Sequence, residues 1–465
     1  MKRCLVLLLL AGCTVGPDYV RPRVETPAAY KENGAQTGWK PATPRDAEAR
    51  GRWWAAFGDA QLDGLMAQVD VANQGIAAAE AQVRVSAAIA EQSRASWWPT
   101  LNGSVTRTES KPSSTTGPIV GAVTNKRIID AMPLNASWEA DLWGRVRRLV
   151  EAGDAGTRAS ASDLVNARLS AQAALAQNYF QLRALDSQKT LLEETTSAYA
   201  KTLELTKNRY TVGVASRADI VQAESQLAST RSQALDLGVQ RAQLEHAIAV
   251  LLGKPAGGFS LAPGALAAGP PAVPATGLPA DLLERRPDIA AAERRVEAAN
   301  AQIGVARAAF FPTATLGATY GYQTATPSLW FNHPSLFWSV GPALALTLFD
   351  GGRRAAVSDQ AVANYDQTVA NYRGTVLQAF ADVEDNLAAL RILEAEAEIQ
   401  NEAVKSAQQS LDITVNQYKA GIVTYLQVVV AQTQALQAQT TALGIRSRRM
   451  AASVLLVKSL GGGWN

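Results

Sequence analysis

The sequence contains very little cysteine and histidine. Its 465 residues include two Cys, Cys4 and Cys13, and two His, His246 and His333. Protein zinc sites and related metal centres are built mainly from Cys thiolates and His imidazoles. The chain offers almost no material for such a site, so we expect no metal ion.

A large excess of charge of one sign is also missing. The chain has 44 basic and 41 acidic residues, a formal charge of +3, and no run of five or six Lys and Arg residues. A protein that neutralises many phosphates needs a larger basic excess, so nucleic acid is excluded as a partner. No nucleophile with an acid/base group and an orienting group is visible, so we expect no enzyme and no catalytic residue.

Aromatic residues are scarce too. They make up 6% of the chain, whereas hydrophobic residues as a whole make up 47%. The apolar content is therefore mostly Ala, Leu and Val, a mixture that favours helix.

The amino terminus has the layout of a signal peptide. Lys2 and Arg3 precede an apolar run from Leu5 to Leu10, which is too short for the roughly 20 helical residues that cross a bilayer. Leu10-Ala11-Gly12-Cys13 resembles the bacterial lipobox, in which the Cys is acylated and the bond before it is cut. We predict a signal peptide at residues 1–12 and a covalent lipid on Cys13, with no other cofactor. Thr14 after the Cys favours sorting to the outer membrane, and cleavage lowers the formal charge from +3 to +1.

An internal repeat organises the rest of the chain. Three landmarks recur in the same order: Trp97 to Thr100 with Phe310 to Thr313, Leu142 to Arg145 with Phe349 to Arg353, and Asn208 to Gly213 with Asn416 to Gly421. Two proline-containing stretches act as connectors, from Val15 to about Arg52 and from Lys254 to about Leu278. Helices do not run through such segments. We predict an N-terminal lipidated segment at 13–58, repeat 1 at 59–253, a Pro/Gly-rich linker at 254–278, repeat 2 at 279–460 and a tail at 461–465.

Within each repeat the apolar pattern changes from helical spacing to alternation and back. Leading helices are predicted from Gln61 to Ser96 and from Ala280 to Ala309. Strands are predicted at about 100–109 and 133–143, and at about 312–323 and 336–349. Helices follow at about 144–210 and 216–252, and at about 352–418 and 423–460. At 1.5 Å per residue, a helix of about 65 residues is about 100 Å long.

The predicted strands have one apolar face and one face of small polar residues. Leu316, Ala318 and Tyr320 alternate with Thr315 and Gly317, and aromatic residues lie near the strand ends. This layout is typical of a membrane β-barrel. A soluble half-buried sheet is the alternative, although nothing obvious would cover its apolar face.

Four strands in lipid leave two unpaired edges, each costing several kcal/mol per orphan backbone group. Other copies of the chain must therefore complete the barrel, and three copies give twelve strands with a wide lumen. The predicted fold class is mainly α with a membrane β-barrel, arranged as a trimeric α-barrel and β-barrel tunnel.

The sequence resembles the TolC-like outer-membrane efflux factors, in particular the lipoproteins of the OprM/NodT type. The segments that carry the resemblance are Cys13 to Pro22, Val250 to Gly253, Pro279 to Glu293, Ala299 to Pro312, and the paired turns Tyr210 to Ser216 and Tyr418 to Thr424. The resemblance implies a homotrimer in the outer membrane that extends into the periplasm. It also implies a duct of a tripartite pump, with a periplasmic adaptor protein and an inner-membrane transporter of the resistance-nodulation-division class.

The resemblance also assigns candidate site residues. It places adaptor docking at the tips, formed by Tyr210, Gly213, Val214, Tyr418, Gly421 and Ile422; an ordinary helical hairpin describes the same turns. The family's constriction positions, a Leu, an acidic and a basic residue, are Leu426, Val430 and Thr433 here, so the charged rings are missing. We expect a gate that depends on packing of Leu426 and Tyr418, with Arg217 and Asp219 as further candidates or as a solvated helix start.

On the strands, Glu139 and Asp141 are candidates for the barrel lumen, and a satisfied ion pair is the competing account. Two other functions stay open from the sequence. One is the outer-membrane channel of a type I protein secretion system. The other is a lipid-anchored periplasmic coiled-coil scaffold whose strands never enter lipid.

Overall fold

The computed structural model describes residues 14–27, 29–33, 51–111, 113, 126–271 and 285–462. These residues pack as two compact units, and each unit takes residues from both sequence repeats. The sheet unit comprises the described residues up to Arg23, Gln82–Ser160 and Ala291–Tyr372. The helical unit comprises Val24–Ala81, Ala161–Ala290 and Arg373–Asn465, again in their described residues. The predicted signal peptide, Cys13 and most of the predicted tail lie outside the described residues.

The sheet is antiparallel throughout. Its strands are β1 (Thr100–Gly103), β2 (Thr106–Ser110), β3 (Arg127–Ala140), β4 (Thr313–Thr324) and β5 (Leu336–Ala345). β3 and β4 lie in the middle, β5 pairs with β4, and both β1 and β2 pair with β3. The alternation holds: Leu134, Tyr320 and Trp338 occupy paired positions and are all exposed, as expected of a lipid-facing surface.

The predicted single strand at about 100–109 is wrong, because it is broken into β1 and β2. The register does not shift across the break, since Gly103 pairs with Leu134 and Thr106 with Ala131. The cause is Pro133 in β3. Its carbonyl accepts from the Ser104 amide (3.2 Å), but proline has no N–H to return the bond. β1 and β2 therefore act as one interrupted strand at the edge of the sheet. We call each of the four strand positions across the sheet a lane, so β1 and β2 share one edge lane.

The helices are α1 (Ala60–Ala72), α2 (Gln74–Ala95), α3 (Arg145–Thr211), α4 (Arg217–Leu251), α5 (Pro287–Ala308), α6 (Arg353–Lys419) and α7 (Tyr425–Ser459). The four long helices lie within a few residues of their predicted bounds. The leading helix of repeat 1 is corrected to two helices, because Asn73 interrupts it. The Asn73 side chain accepts from the Ile76 amide (3.0 Å) and donates to the Leu251 carbonyl (2.8 Å), which fixes the bend against α4.

A buried polar network holds the linker on the helical unit. The guanidinium of Arg183 donates to the Ala262 carbonyl (2.9 Å), and that of Arg241 donates to the Leu261 carbonyl (2.6 Å). Both guanidinium groups pair with Asp186, whose side chain is 4% exposed. The described part of the linker therefore lies on the helical unit.

The arginine-rich segment at the start of repeat 2 has a structural role in the helical unit. Pro287 occupies the first position of α5. Arg286 pairs with Asp288 (2.6 Å) and Asp382 (3.3 Å), and it donates to the Ser459 carbonyl (3.1 Å). These contacts leave the Arg286 guanidinium satisfied inside the helical unit.

The segment after the predicted lipidation site lies on the sheet unit. The Val15 amide donates to the Trp143 carbonyl (3.0 Å), and the Asn300 amide group donates to the Pro17 carbonyl (3.0 Å). Arg21 pairs with Glu293 at 2.6 Å. Thr14, the residue next to Cys13, lies so close to Gly144 that a side chain there would clash.

Candidate functional site

Two equivalent turns join the long helices within each repeat. Gly213 and Gly421 both have φ near +77°, at +76° and +78°, the left-handed conformation that ends a helix. The Val214 amide bonds back to the Arg209 carbonyl, and the Ile422 amide bonds back to the Gln417 carbonyl, each at 2.9 Å. Both turns therefore have the bonding of a Schellman motif, which closes the helix and reverses the chain.

A buried cluster lies between the two hairpins beside these turns. We call it the tyrosine cluster, and its members are Tyr199, Leu203, Ala223, Leu227, Tyr418, Tyr425, Val428 and Val429. The rings of Tyr418 and Tyr425 meet edge to face at 5.7 Å between centroids. The Tyr418 hydroxyl donates to Thr206 Oγ1 at 3.2 Å. Side chains from both repeats thus form one interior.

Arg209 joins the first turn to the second. Its guanidinium donates to the carbonyl oxygens of Tyr418 (2.6 Å) and Lys419 (3.2 Å). It also lies over the Tyr418 ring, 4.6 Å from the centroid. The last carbonyl groups of a helix lack partners within the helix and carry partial negative charge, so a guanidinium there is favourable.

Burial in the tyrosine cluster changes acid–base behaviour. Burial, together with the neighbouring Tyr418, Tyr199 and Asp219, raises the pKa of Tyr425 to about 12. Burial also raises the pKa of Tyr199. The two phenols are neutral at physiological pH, so the cluster is held by packing and hydrogen bonds.

The candidate docking residues differ in exposure. Val214 and Ile422 are 62% and 72% exposed at the two turns, and Tyr210 is 43% exposed. Tyr418 is 3% exposed. The apolar surface of the turns is therefore formed by Tyr210, Val214 and Ile422, while Tyr418 supports it from inside.

The three aperture candidates on α7 share one exposed face. Leu426, Val430 and Thr433 are spaced by four and three residues, which is one face of a helix, and all three are exposed. This face carries no charge at these positions. Tyr418 lies in the buried cluster, whereas Leu426 is 63% exposed in the single chain. A gate that depends on packing of Leu426 and Tyr418 stays a prediction.

Arg217 and Asp219 begin α4. The Ser216 side chain accepts from the Asp219 amide, and the Asp219 carboxylate accepts from the Ser216 amide (2.9 Å), which is a capping box. Arg217 is exposed in the first turn. The structure thus gives Asp219 the helix-start role that the sequence left open.

Glu139 and Asp141 lie where β3 leads into α3. Glu139 accepts two bonds from the Arg145 guanidinium, at 2.8 and 2.6 Å. Asp141 accepts from the backbone amides of Val146 and Arg147, both at 2.9 Å. A carboxylate at this position satisfies the free amides of the helix start. Both acids therefore stabilise the junction of strand and helix.

Sequence reasoning missed Arg209 and Tyr425. A signal for both was present, because the repeats differ at these positions. Arg209 corresponds to Gln417, and Tyr425 corresponds to Arg217. Where two copies of one unit diverge, the divergent residues are candidates for a contact that only one copy makes.

The described residues were also compared with the requirements of a metal site and of a membrane-spanning helix. Among the described residues, no group of three or more His, Cys, Asp and Glu side chains is arranged to hold a metal ion. In the same part of the chain, no helix is both long enough and apolar enough to cross a membrane.

Comparison with known proteins decides the family. Residues 65–254 and 278–462 match the outer membrane efflux protein family. The chain is 30% identical over 460 residues to the pyoverdine export outer membrane protein OpmQ of Pseudomonas aeruginosa, covering 98% of this chain and 95% of OpmQ. The chain belongs to the outer membrane efflux protein family.

Further similarities extend along nearly the whole efflux protein. It is 32% identical over 468 residues to the toluene efflux pump outer membrane protein TtgF of Pseudomonas putida, covering 98% of this chain and 95% of TtgF. The solved outer-membrane channel OprN superimposes with a TM-score of 0.89 at 28% identity, covering 97% of this chain and 100% of that one. The predicted fold class, with long helices and a membrane sheet in a channel, is thereby confirmed.

The efflux protein is therefore an outer-membrane channel component that extends into the periplasm. The turns at Gly213 and Gly421 end the helical hairpins of the efflux protein, and we refer to them below as the tips.

Proposed function

We propose that this efflux protein is the passive exit duct of a tripartite pump and that it works as a homotrimer. It conducts small toxic compounds or drugs that an inner-membrane transporter of the resistance-nodulation-division class delivers through a periplasmic adaptor. It catalyses no reaction and needs no cofactor. The observation that carries the proposal is similarity to efflux outer-membrane proteins over nearly the full length of both chains.

The sheet supports the homotrimer. Within the described residues, the interrupted lane of β1 and β2 has a strand neighbour on one side only, and so does β5. In lipid these edge groups must be paired, and a closed barrel of several copies pairs them. Four lanes from each of three copies give the twelve strands expected from the sequence.

The tips support docking of an adaptor. Val214 and Ile422 are apolar, exposed and equivalent in the two repeats, so each copy presents two similar apolar points. Adaptor hairpins with apolar ends fit this surface. The names of the relatives attribute pyoverdine export to OpmQ and toluene efflux to TtgF, and we extend only the class of small organic compounds to this chain.

A covalent lipid on Cys13 is part of the proposal. Thr14 and Val15 lie on the sheet unit beside Gly144 and Trp143, at the point where β3 leads into α3. Cys13 directly precedes Thr14 in the sequence. Acyl chains on Cys13 would anchor the efflux protein to the bilayer.

Deletion of the gene tests the function. We expect greater susceptibility to, and accumulation of, small toxic compounds in the deletion strain, with recovery by the wild-type gene. Unchanged accumulation across dyes, detergents, antibiotics and metals would remove the efflux assignment. Loss of a secreted protein from the medium, with unchanged accumulation, would indicate type I secretion instead.

The anchor has its own test. Cys13→Ala should abolish incorporation of labelled palmitate, because the acylated sulfur is gone. Cys4→Ala is the matched control, since Cys4 lies in the predicted signal peptide and its loss should leave labelling unchanged. Equal labelling of both variants would contradict a lipid on Cys13.

A further inference from the structure

The two repeats correspond residue by residue at the tips. α3 and α6 both have 67 residues, and α4 and α7 both have 35. Tyr210 and Tyr418 hold the same position before the tip glycine, 208 residues apart. The same offset relates every residue of the first hairpin to one of the second.

Equivalent residues are nevertheless buried to very different extents. Tyr210 is 43% exposed and Tyr418 is 3% exposed. Val221 is 55% exposed and Val429, its equivalent, is 8% exposed. One face of the second hairpin is therefore covered, whereas the same face of the first hairpin is open.

The cover over the second hairpin comes from the first hairpin. Thr206 accepts the Tyr418 hydroxyl, and Arg209 bonds the Tyr418 carbonyl. The residues equivalent to Thr206 and Arg209 are Thr414 and Gln417 in α6. Thr206 is fully buried, but Thr414 and Gln417 are partly exposed. The chain thus carries a second set of covering groups, which the described residues leave partly exposed.

We propose that the open face around Tyr210 packs on the face around Thr414 and Gln417 of a second copy of the efflux protein. The Tyr210 hydroxyl donates to the Thr414 hydroxyl of the second copy, as Tyr418 donates to Thr206 within one chain. The Gln417 amide of that copy donates to the Tyr210 carbonyl, in the place that Arg209 takes inside the chain. The two faces differ and lie on different hairpins, so the contact is head to tail, and in the proposed homotrimer three such contacts close a ring.

A second pair of positions supports the same register. Gln226 Nε2 lies 3.5 Å from Thr433 Oγ1 and links α4 to α7 within the chain. The equivalents of these two residues are Gln434 and Ser225, and both are exposed. In the proposed contact between copies, which we call the joint, Gln434 of one copy contacts Ser225 of the next. This pair lies farther from the tips than Tyr210 and Thr414.

The joint between copies is weaker than the equivalent contact between the two hairpins of one chain. Inside the chain, Arg209 makes two charge-assisted bonds and covers a buried Tyr pair. Between copies, the neutral Gln417 replaces Arg209, and Arg217 replaces Tyr425. The tip ring therefore alternates stronger joints within chains and weaker joints between chains, and opening of the ring begins between chains.

Paired cysteines test this inference, which rests on the proposed homotrimer. Tyr210→Cys with Thr414→Cys, treated with a short bismaleimide in membranes, should give covalent dimers and trimers on denaturing gels. The matched control is Thr206→Cys with Tyr418→Cys, the intrachain equivalent, which should react and stay at monomer size. Each single variant should give no cross-linked species, and the two single variants expressed together should give dimers only.

Native size in detergent separates this inference from the proposed function. The decisive case is one in which both double variants are trimeric in detergent and the control pair reacts. If Tyr210→Cys with Thr414→Cys then stays at monomer size on denaturing gels, the joint is overturned and the homotrimer stands. A wild-type chain that is not trimeric would remove both. If the Tyr210 pair impairs assembly, Ser225→Cys with Gln434→Cys replaces exposed polar residues and tests the same register. Absence of interchain products there, in intact trimers, overturns the joint.

Discussion

Single buried polar residues fix how the helical unit is held together. Asp186 is 5% exposed and accepts bonds from Arg183, Arg241 and the Gly264 amide. Each partner belongs to a different part of the chain, namely α3, α4 and the linker. Buried charges are costly unless they are paired, so Asp186 keeps two guanidinium groups in place. The same contacts hold the linker on the helical unit.

Replacing Asp186 should therefore be strongly destabilising. Asp186→Asn removes the negative charge from the buried guanidinium of Arg183 and the partly buried one of Arg241, which we expect to cost about 3 kcal/mol. The denaturant midpoint of the detergent-solubilised protein measures the effect. Asp236→Asn, at an exposed position of α4, is the control and should change stability by less than about 0.5 kcal/mol. Equal effects of the two substitutions would contradict the role of the network.

The tyrosine cluster should lose stability in alkaline solution. The pKa of Tyr425 is about 12 in the folded protein, above the ordinary tyrosine value of about 10. Because the folded form holds the proton more tightly, its contribution to stability is full below about pH 10 and is lost as pH rises towards 12. Tyr425→Phe cannot ionise, so it should lose less helical circular dichroism between these pH values.

Tyrosinate absorbance provides the control for this prediction. The wild-type minus Tyr425→Phe difference should titrate near pH 12 in the folded protein and near pH 10 in denaturant. A difference that titrates near pH 10 in both states would show that Tyr425 is not buried in the cluster.

At the scale of elements, the two hairpins are built alike and joined unequally. Each consists of a 67-residue helix, a glycine turn and a 35-residue helix. The turns depend on glycine because a left-handed residue with a Cβ is strained. The helix ends next to the turns differ, since α4 begins with a capping box and α7 begins after Thr424, whose side chain makes no capping bond.

Two glycine substitutions should change the free energy of unfolding in opposite directions. Gly213→Ala should destabilise the hairpin by about 1 to 2 kcal/mol, because φ at Gly213 is +76° and no nearby atom adds a clash. Gly238→Ala lies inside α4 with open space around it and should stabilise by up to about 1 kcal/mol. Thermal unfolding followed by circular dichroism measures both. The same sign for both variants would contradict the left-handed turn.

At the scale of the whole molecule, the described residues of one chain leave several surfaces uncovered. The sheet has edge lanes, the first hairpin has an open face, and the face of α7 with Leu426, Val430 and Thr433 is exposed. In the proposed homotrimer this face of α7 surrounds the channel axis. Its apolar and neutral character predicts an aperture with little preference for ions.

Introducing charge at this face should create such a preference. Val430→Asp places three carboxylates around the axis of the proposed homotrimer, and their mutual repulsion favours a bound multivalent cation. We expect planar-bilayer conductance to become sensitive to micromolar multivalent cations, whereas the wild-type channel is much less sensitive. Val430→Asn is the control, because it has a similar size and no charge. Equal sensitivity of the Asp and Asn variants would place Val430 away from the aperture.

The amino-acid sequence by itself determined the repeat, the four long helices, the alternating strands and the resemblance that the family match confirmed. These features are local or periodic, so each residue contributes to them through its near neighbours along the chain. Sequence reasoning also noted both tip glycines, because each follows a long uninterrupted helix.

Only the tertiary structure decided which equivalent residues are buried. The interruption of the edge lane depends on Pro133, which acts on a different strand, and the division of the leading helix depends on an Asn73 contact with α4. Tyr418 is interior and Tyr210 is exposed because the first hairpin covers one side of the second, while none of the described residues covers the same side of the first. Two segments of equal length and equivalent position thus acquire different environments from packing between hairpins, which no pattern within either segment can specify.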